Sequence, residues 1–170
     1  MFRPKKRVLT QQINQNQIAD FINAGGLVPY FFLLPIDEVV GYQVDRENTS
    51  ISLNLQQDSD FYKVEIADLT GKYSFEAERS ANGMIFRHKL EFEIPKLQAA
   101  RNVFLISLIE QKLMVKIVDR NGNTFIMSSP AHHAMIDLVT GTTGGQSEKN
   151  GTKYSIAVET DSTIFVLQNP

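Results

Sequence analysis

Few residues in this chain have the type and spacing that chemistry requires. His132 and His133 are adjacent, so their rings project differently, and no third ligand or carboxylate stands at metal-binding spacing beside them. His88 falls on the apolar side of an alternating stretch, which marks a hydrogen-bonded core residue rather than a ligand. The glycine-rich run 140–151 lacks both the Gly-Lys-Thr/Ser ending and the helix start that a phosphate cradle needs. There is no Gly-x-Ser-x-Gly and no His-Glu-x-x-His. The chain has no cysteine, which removes disulfides, thiol catalysis and cysteine-built zinc sites together. Folding could bring Asp119 and Asp137 together as an acid–base pair, but turn formation accounts better for both. The expectation is a non-enzyme with no cofactor and no bound metal.

The remaining chemically suggestive residues are basic. Arg3, Lys5, Lys6 and Arg7 supply four positive charges against a whole-chain formal charge of −2, so the rest of the chain stands at −6. A dedicated nucleic-acid binder would spread its basic surface over the body, and this chain does not. The cluster reads either as a solvated tail or as a tip that docks on an acidic partner or on nucleic acid. The apolar stretch of a signal peptide is missing after it, because Val8-Leu9 runs straight into Thr10-Gln11-Gln12. With no run of membrane-spanning length either, the sequence predicts a soluble product that acts where it is made or assembled.

At 170 residues and 42% hydrophobic composition, one domain with an appended arm is expected. The division reads as an N-terminal arm over 1–47 and a β-sandwich domain over 48–170. In the arm, Ile13, Ile18, Phe21 and Ile22 fall along a helical stripe, Thr10 can cap it and Ala24-Gly25-Gly26 can end it. The run from Leu27 to Pro35 is the most apolar in the chain. Prolines near both its ends argue against a place inside a sheet. That leaves an edge strand on the domain's own core, or an extended arm whose Leu27, Val28, Tyr30, Phe31, Phe32, Leu33 and Leu34 are covered by a neighbouring copy. Asp37 to Ser50 reads as loop.

The domain itself is predicted to be mainly β and antiparallel, a sandwich or barrel with one flanking helix. Ile51, Leu53 and Leu55 alternate as a strand. Phe61–Ala67, Lys72–Arg79 and Met84–Ile94 read as a three-strand meander turning at Asp68-Leu69-Thr70-Gly71 and Ser80-Ala81-Asn82-Gly83. In the last of these Met84, Phe86, His88, Leu90, Phe92 and Ile94 share one face, opposite Arg87, Lys89, Glu91 and Glu93. Pro95 suits the first turn of a helix over 96–111, whose Val103, Ile106 and Ile109 widen the apolar surface beyond a single stripe; the alternative is a buried strand over 102–109, against which length and the Leu-Gln-Ala-Ala start speak. Two β-prone runs around Asp119-Arg120-Asn121-Gly122-Asn123 form a central hairpin, Asn-Gly supplying the positive φ angles of its turn. A short strand over Met135–Val139, a loop whose Thr142, Gly144 and Gly145 could touch a neighbour, and a final pair of strands over 154–159 and 163–167 complete the chain.

That order of strands, a helix launched by Ile94-Pro95, the Asp119–Asn123 hairpin, the Thr140-Gly141 loop and two closing strands resembles the small structural proteins of tailed bacteriophages, in the tail-tube, tail-completion and neck-ring group. The resemblance spans Asn48 to the C-terminus and is architectural. It implies a non-enzymatic virion subunit, assembled in the host bacterial cytoplasm. Such a subunit would form a homo-oligomeric ring beside adjacent virion proteins, with DNA passing nearby without sequence-specific binding and no membrane involved. The residues suit this physically: a ring uses heterologous contacts, and an acidic body opposes phosphate adhesion in a lumen. The alternative, from a different class, is a monomeric sandwich module binding carbohydrate or protein. It would need an exposed aromatic platform, with Tyr30, Tyr42, Tyr62, Tyr73 and Tyr154 as the candidates, or a concave polar site.

Overall fold

A computed structural model describes residues 26–81, 83–95, 99–142, 151–161 and 164–167. The predicted helix over 10–23, the basic cluster Arg3, Lys5, Lys6 and Arg7, and Gly144 and Gly145 lie outside the described residues. The strands are β1 (Leu27–Pro35), β2 (Val39–Asp45), β3 (Ser50–Leu55), β4 (Tyr62–Glu65), β5 (Lys72–Ser80) and β6 (Gly83–Pro95). After the helix α1 (Ala99–Ser107) come β7 (Leu113–Asp119), β8 (Thr124–Ile126), β9 (Met135–Thr142), β10 (Gly151–Thr160) and β11 (Phe165–Leu167). The protein is mainly β. A seven-stranded sheet runs in the order β2-β3-β11-β8-β7-β1-β4, and a four-stranded sheet runs β5-β6-β10-β9. Neither closes into a barrel.

The alternation that the sequence shows in β6 is what joins the two sheets. Leu90, Phe92 and Ile94 point inward and meet Phe31, Leu33, Val115 and Ile117 of the larger sheet in one continuous core. The rings of Phe31 and Phe92 lie 4.6 Å apart, and Phe92 stacks on Tyr154 at 5.3 Å. Each such buried side chain contributes about 1.5–3 kcal/mol. A second, smaller core lies on the other face of the larger sheet, where Leu34, Met114, Ile51, Ile126 and Phe165 are packed together. His88 is buried in β6, with Nδ1 2.8 Å from the Tyr73 hydroxyl and Nε2 3.1 Å from Thr160 Oγ1. Burial pushes the Tyr73 hydroxyl well above its ordinary pKa, so it stays protonated as a hydrogen-bonding partner.

Several expectations are corrected. β1 is an internal strand, paired with β7 on one side and β4 on the other, and not an edge or a free arm. The prolines are tolerated because the pairing slips between Leu27 and Phe31, around Pro29, and because Pro35 is the last residue of the strand. The carbonyl of Pro29 still accepts from the Ile66 N–H. Asp37 to Ser50 is not loop alone: β2 occupies Val39–Asp45 and pairs with β3, with a register shift between Val39 and Gly41. The sheets therefore include β1 and β2, and the β domain begins at Leu27 rather than Asn48.

The expected meander is split between sheets. β4 pairs with β1 in the larger sheet, while β5 and β6 form a hairpin in the smaller one. The connection crosses over at residues 66–71. It is pinned there by the Ala67 N–H donating to the Glu93 carbonyl and by Thr70 Oγ1 accepting from the Glu93 N–H. The closing strands are not a pair either, since β10 lies between β6 and β9 while β11 joins β3 and β8 across the larger sheet.

The central hairpin of β7 and β8 has a four-residue connection, and only Gly122 adopts a positive φ, +84°. Asp119 organises it: its carboxylate accepts from the Asn121 N–H at 2.9 Å, the Asn123 N–H at 2.7 Å and Asn123 Nδ2 at 2.8 Å. Desolvation raises the pKa of this group, but the hydrogen bonds from Asn123 and Asn121 outweigh it and hold the carboxyl below its usual value. The folded value being the lower one, the turn is stabilised above about pH 4, the ordinary carboxylate range, and loosens as pH falls through the folded pKa. Asp119→Ala should cost about 1 kcal/mol in urea titrations at neutral pH. That difference from the native chain should shrink on acidification.

Candidate assembly surfaces

α1 bridges β6 and β7, and its apolar surface is broader than the described residues cover. Leu105 and Leu108 enter the main core. Val103 and Ile106, on the other side of the same helix, are 66% and 52% exposed, whereas Leu105 between them is 1% exposed. Phe104 extends the ridge to Tyr62 on β4, with ring centroids 6.1 Å apart. The Tyr62 hydroxyl donates to Glu38 Oε1 at 3.1 Å, which holds that ring beside the helix. A contiguous apolar ridge of this kind, next to the border strand of a sheet, is a surface suited to a protein contact.

The border of the smaller sheet has the same character. Met135, Leu138 and Val139 on β9 are exposed, and Thr142, a residue expected to touch a neighbour, closes that strand opposite Gly151. The β1 residues fare differently. Leu27, Phe31, Leu33 and Leu34 are buried in the chain's own cores and cannot meet a neighbour without unfolding. Val28, Tyr30 and Phe32 are half-buried. Tyr30 lies under Lys63 Nζ at 4.5 Å, and Phe32 and Phe61 hold Lys116 Nζ at 4.3 and 4.2 Å. Burial lowers the Lys116 pKa, and the ring faces offset part of its lost hydration.

The outer face of the smaller sheet carries a shallow groove of about 520 Å³. Ala157 floors it, with Arg87, Lys89 and Glu76 along one side and His133, Met135 and Asp137 along the other. Arg87 bonds Glu159 and Glu78, both at 2.7 Å, and Lys89 lies 2.9 Å from Glu91. These contacts raise the pKa of both bases, chiefly through the Glu159 and Glu91 hydrogen bonds. Both bases are therefore engaged by carboxylates, and Glu76 and Asp137 leave the groove with an excess of acidic groups. Such exposed pairs contribute about 0–1 kcal/mol each to stability.

The other residues considered for chemistry are dispersed. Asp119 serves the hairpin of the larger sheet, while Asp137 lines the groove on the smaller one. His132 does have a carboxylate nearby, Asp161 at 3.8 Å, which also bonds Arg46 at 2.8 Å. Nothing in the spacing of His132 and Asp161 along the chain signals that contact, which only the fold creates. Among the described residues no group of three or more His, Asp or Glu side chains is placed to hold a metal ion. Among them, too, no helix is long and apolar enough to cross a membrane. The five tyrosines share no platform: Tyr154 is buried, Tyr73 is turned to His88, and Tyr42 stands on the far border strand β2. No family model, no curated protein and no solved structure matches the chain.

Proposed function

We propose that this chain is a non-enzymatic structural subunit that assembles with copies of itself, of the kind that forms an oligomeric ring in the neck or tail of a bacteriophage particle. The observation that carries this reading is the apolar ridge of α1, where Val103 and Ile106 stay open to solvent beside Leu105, which is buried. A subunit working alone has no use for such a ridge and runs an aggregation risk by exposing it. A second border, on β9, presents a different apolar surface, and two unlike surfaces are what a closed ring of identical subunits requires. The flanking helix is thus assigned to the contact between subunits, adjacent virion proteins to the ring faces, and DNA to the channel. Light scattering on the full chain, followed by electron microscopy, is expected to show rings with a mass that is a multiple of 19.2 kDa. A monomer that persists at high concentration would remove the reading, and a lumen lined by lysine and arginine would remove the DNA channel from it.

The groove on the smaller sheet favours a second reading, a monomeric module that binds a carbohydrate or a protein segment along β10. A persistent monomer in the same experiment would select it.

A further inference from the structure

One flank of the main core is left open by the described residues. Between the two sheets, at the end where β1 begins, lies a groove of about 400 Å³ lined by Leu27, Gly71, Tyr73, Ile117, Phe125 and Ile164. Tyr73 and Phe125 pack on the main core yet remain only partly buried, so the groove opens directly onto the interior. Its rim includes Gly26, the first described residue, whose φ of +94° turns the chain there. Gly26 is fixed in place: its carbonyl accepts from the Arg120 N–H at 3.1 Å. Arg120 Nε donates to the Leu27 carbonyl at 3.1 Å, and the same guanidinium is paired with Asp68.

We infer that this groove is the docking site for the preceding segment of the same chain, and that its occupants are the side chains of Phe21 and Ile22. These two residues are four and five positions upstream of Gly26 and are the nearest large apolar residues before it. A span of five residues reaches at most about 17 Å, so the tether confines both side chains to the neighbourhood of the groove. At that range the effective concentration of the segment is on the order of millimolar, well above the concentration of a competing copy in dilute solution. Apart from Lys72 and Asp119 the lining is apolar or aromatic, as are the two residues, and burying them there covers the exposed parts of Tyr73 and Phe125.

The absence of native cysteine makes a direct test possible. Ile22→Cys combined with Ile164→Cys, oxidised in the full chain at micromolar concentration, is expected to give a disulfide within the monomer. It should be detected as a reductant-sensitive mobility shift at unchanged mass. Lys72→Cys, on the exposed rim, replaces Ile164→Cys should the latter disturb folding, and Val103→Cys on α1 serves as the distant control. A covalent dimer would mean that a neighbouring copy's segment fills the groove, and would overturn the inference. Failure of both groove pairs to cross-link, or equal cross-linking to the Val103→Cys control, would overturn it as well. Independently, Phe21→Ser should lower the melting temperature by about 4 °C, an effect expected at every protein concentration. No change in melting temperature would count against the groove being filled.

Discussion

Phe31→Ala is expected to destabilise the folded chain by about 3–5 kcal/mol, the range for truncating a fully buried aromatic side chain. The ring has no solvent exposure, faces Phe92 at 4.6 Å, and sits on an internal strand held by Ile117 on one side and Val64 on the other. Neighbours fixed in two opposing sheets cannot collapse into the space, so the cavity persists and the cost falls toward the upper part of the range. Against a typical total stability of about 5–15 kcal/mol, that loss places the variant near unfolding at 37 °C. The denaturant midpoint should drop with little change in slope when variant and native chain are compared at the same protein concentration. Tyr30→Ala, one position away and half-buried beside Lys63, should cost less than half as much. A Phe31→Ala variant as stable as the native chain but unable to assemble would return β1 to the role of a contact arm.

The local features of the fold are legible in the sequence, and its long-range pairings are not. Alternation from Met84 to Ile94 identifies β6, its buried face and the core position of His88, because side-chain direction along a strand is a local property. Asp119-Arg120-Asn121-Gly122-Asn123 marks the hairpin for the same reason, although the Asp119 carboxylate, and not Asn-Gly alone, shapes its connection. Which sheet a strand joins depends on contacts far apart in sequence. β4 and β5 are separated by six residues yet lie in different sheets, and β3 finds a parallel partner in β11. Proline does not keep β1 out of the sheet interior, because the slip around Pro29 spares the middle of the ladder, a compensation written in no single residue. The surfaces were half visible. Val103 and Ile106 broaden the helix in the sequence, but which side its own chain would cover was decided by Leu105 and Leu108 entering the core. The groove over Ala157 and the meeting of His132 with Asp161 have no signal along the chain at all.

That helix supplies the sharpest test of assembly, because neighbouring positions on it should fail in opposite ways. Val103→Asp with Ile106→Asp places two carboxylates on the open ridge. In the isolated subunit both remain hydrated, so stability should change by no more than about 0.5 kcal/mol per site. In an assembled ring each would be buried against a neighbour without a partner, at a cost of several kcal/mol per subunit contact. Three kcal/mol already weakens association about 100-fold, and a ring repeats the loss at every interface. The double variant should therefore fold, melt close to the native temperature and remain monomeric in light scattering at concentrations where the native chain forms rings. Leu105→Asp, on the buried side, should instead unfold the chain, since an unpaired charge would enter the main core. Rings that survive both ridge substitutions would move the contact between subunits away from α1. The exposed border of β9, where Leu138 and Val139 stand open, would then have to carry it alone.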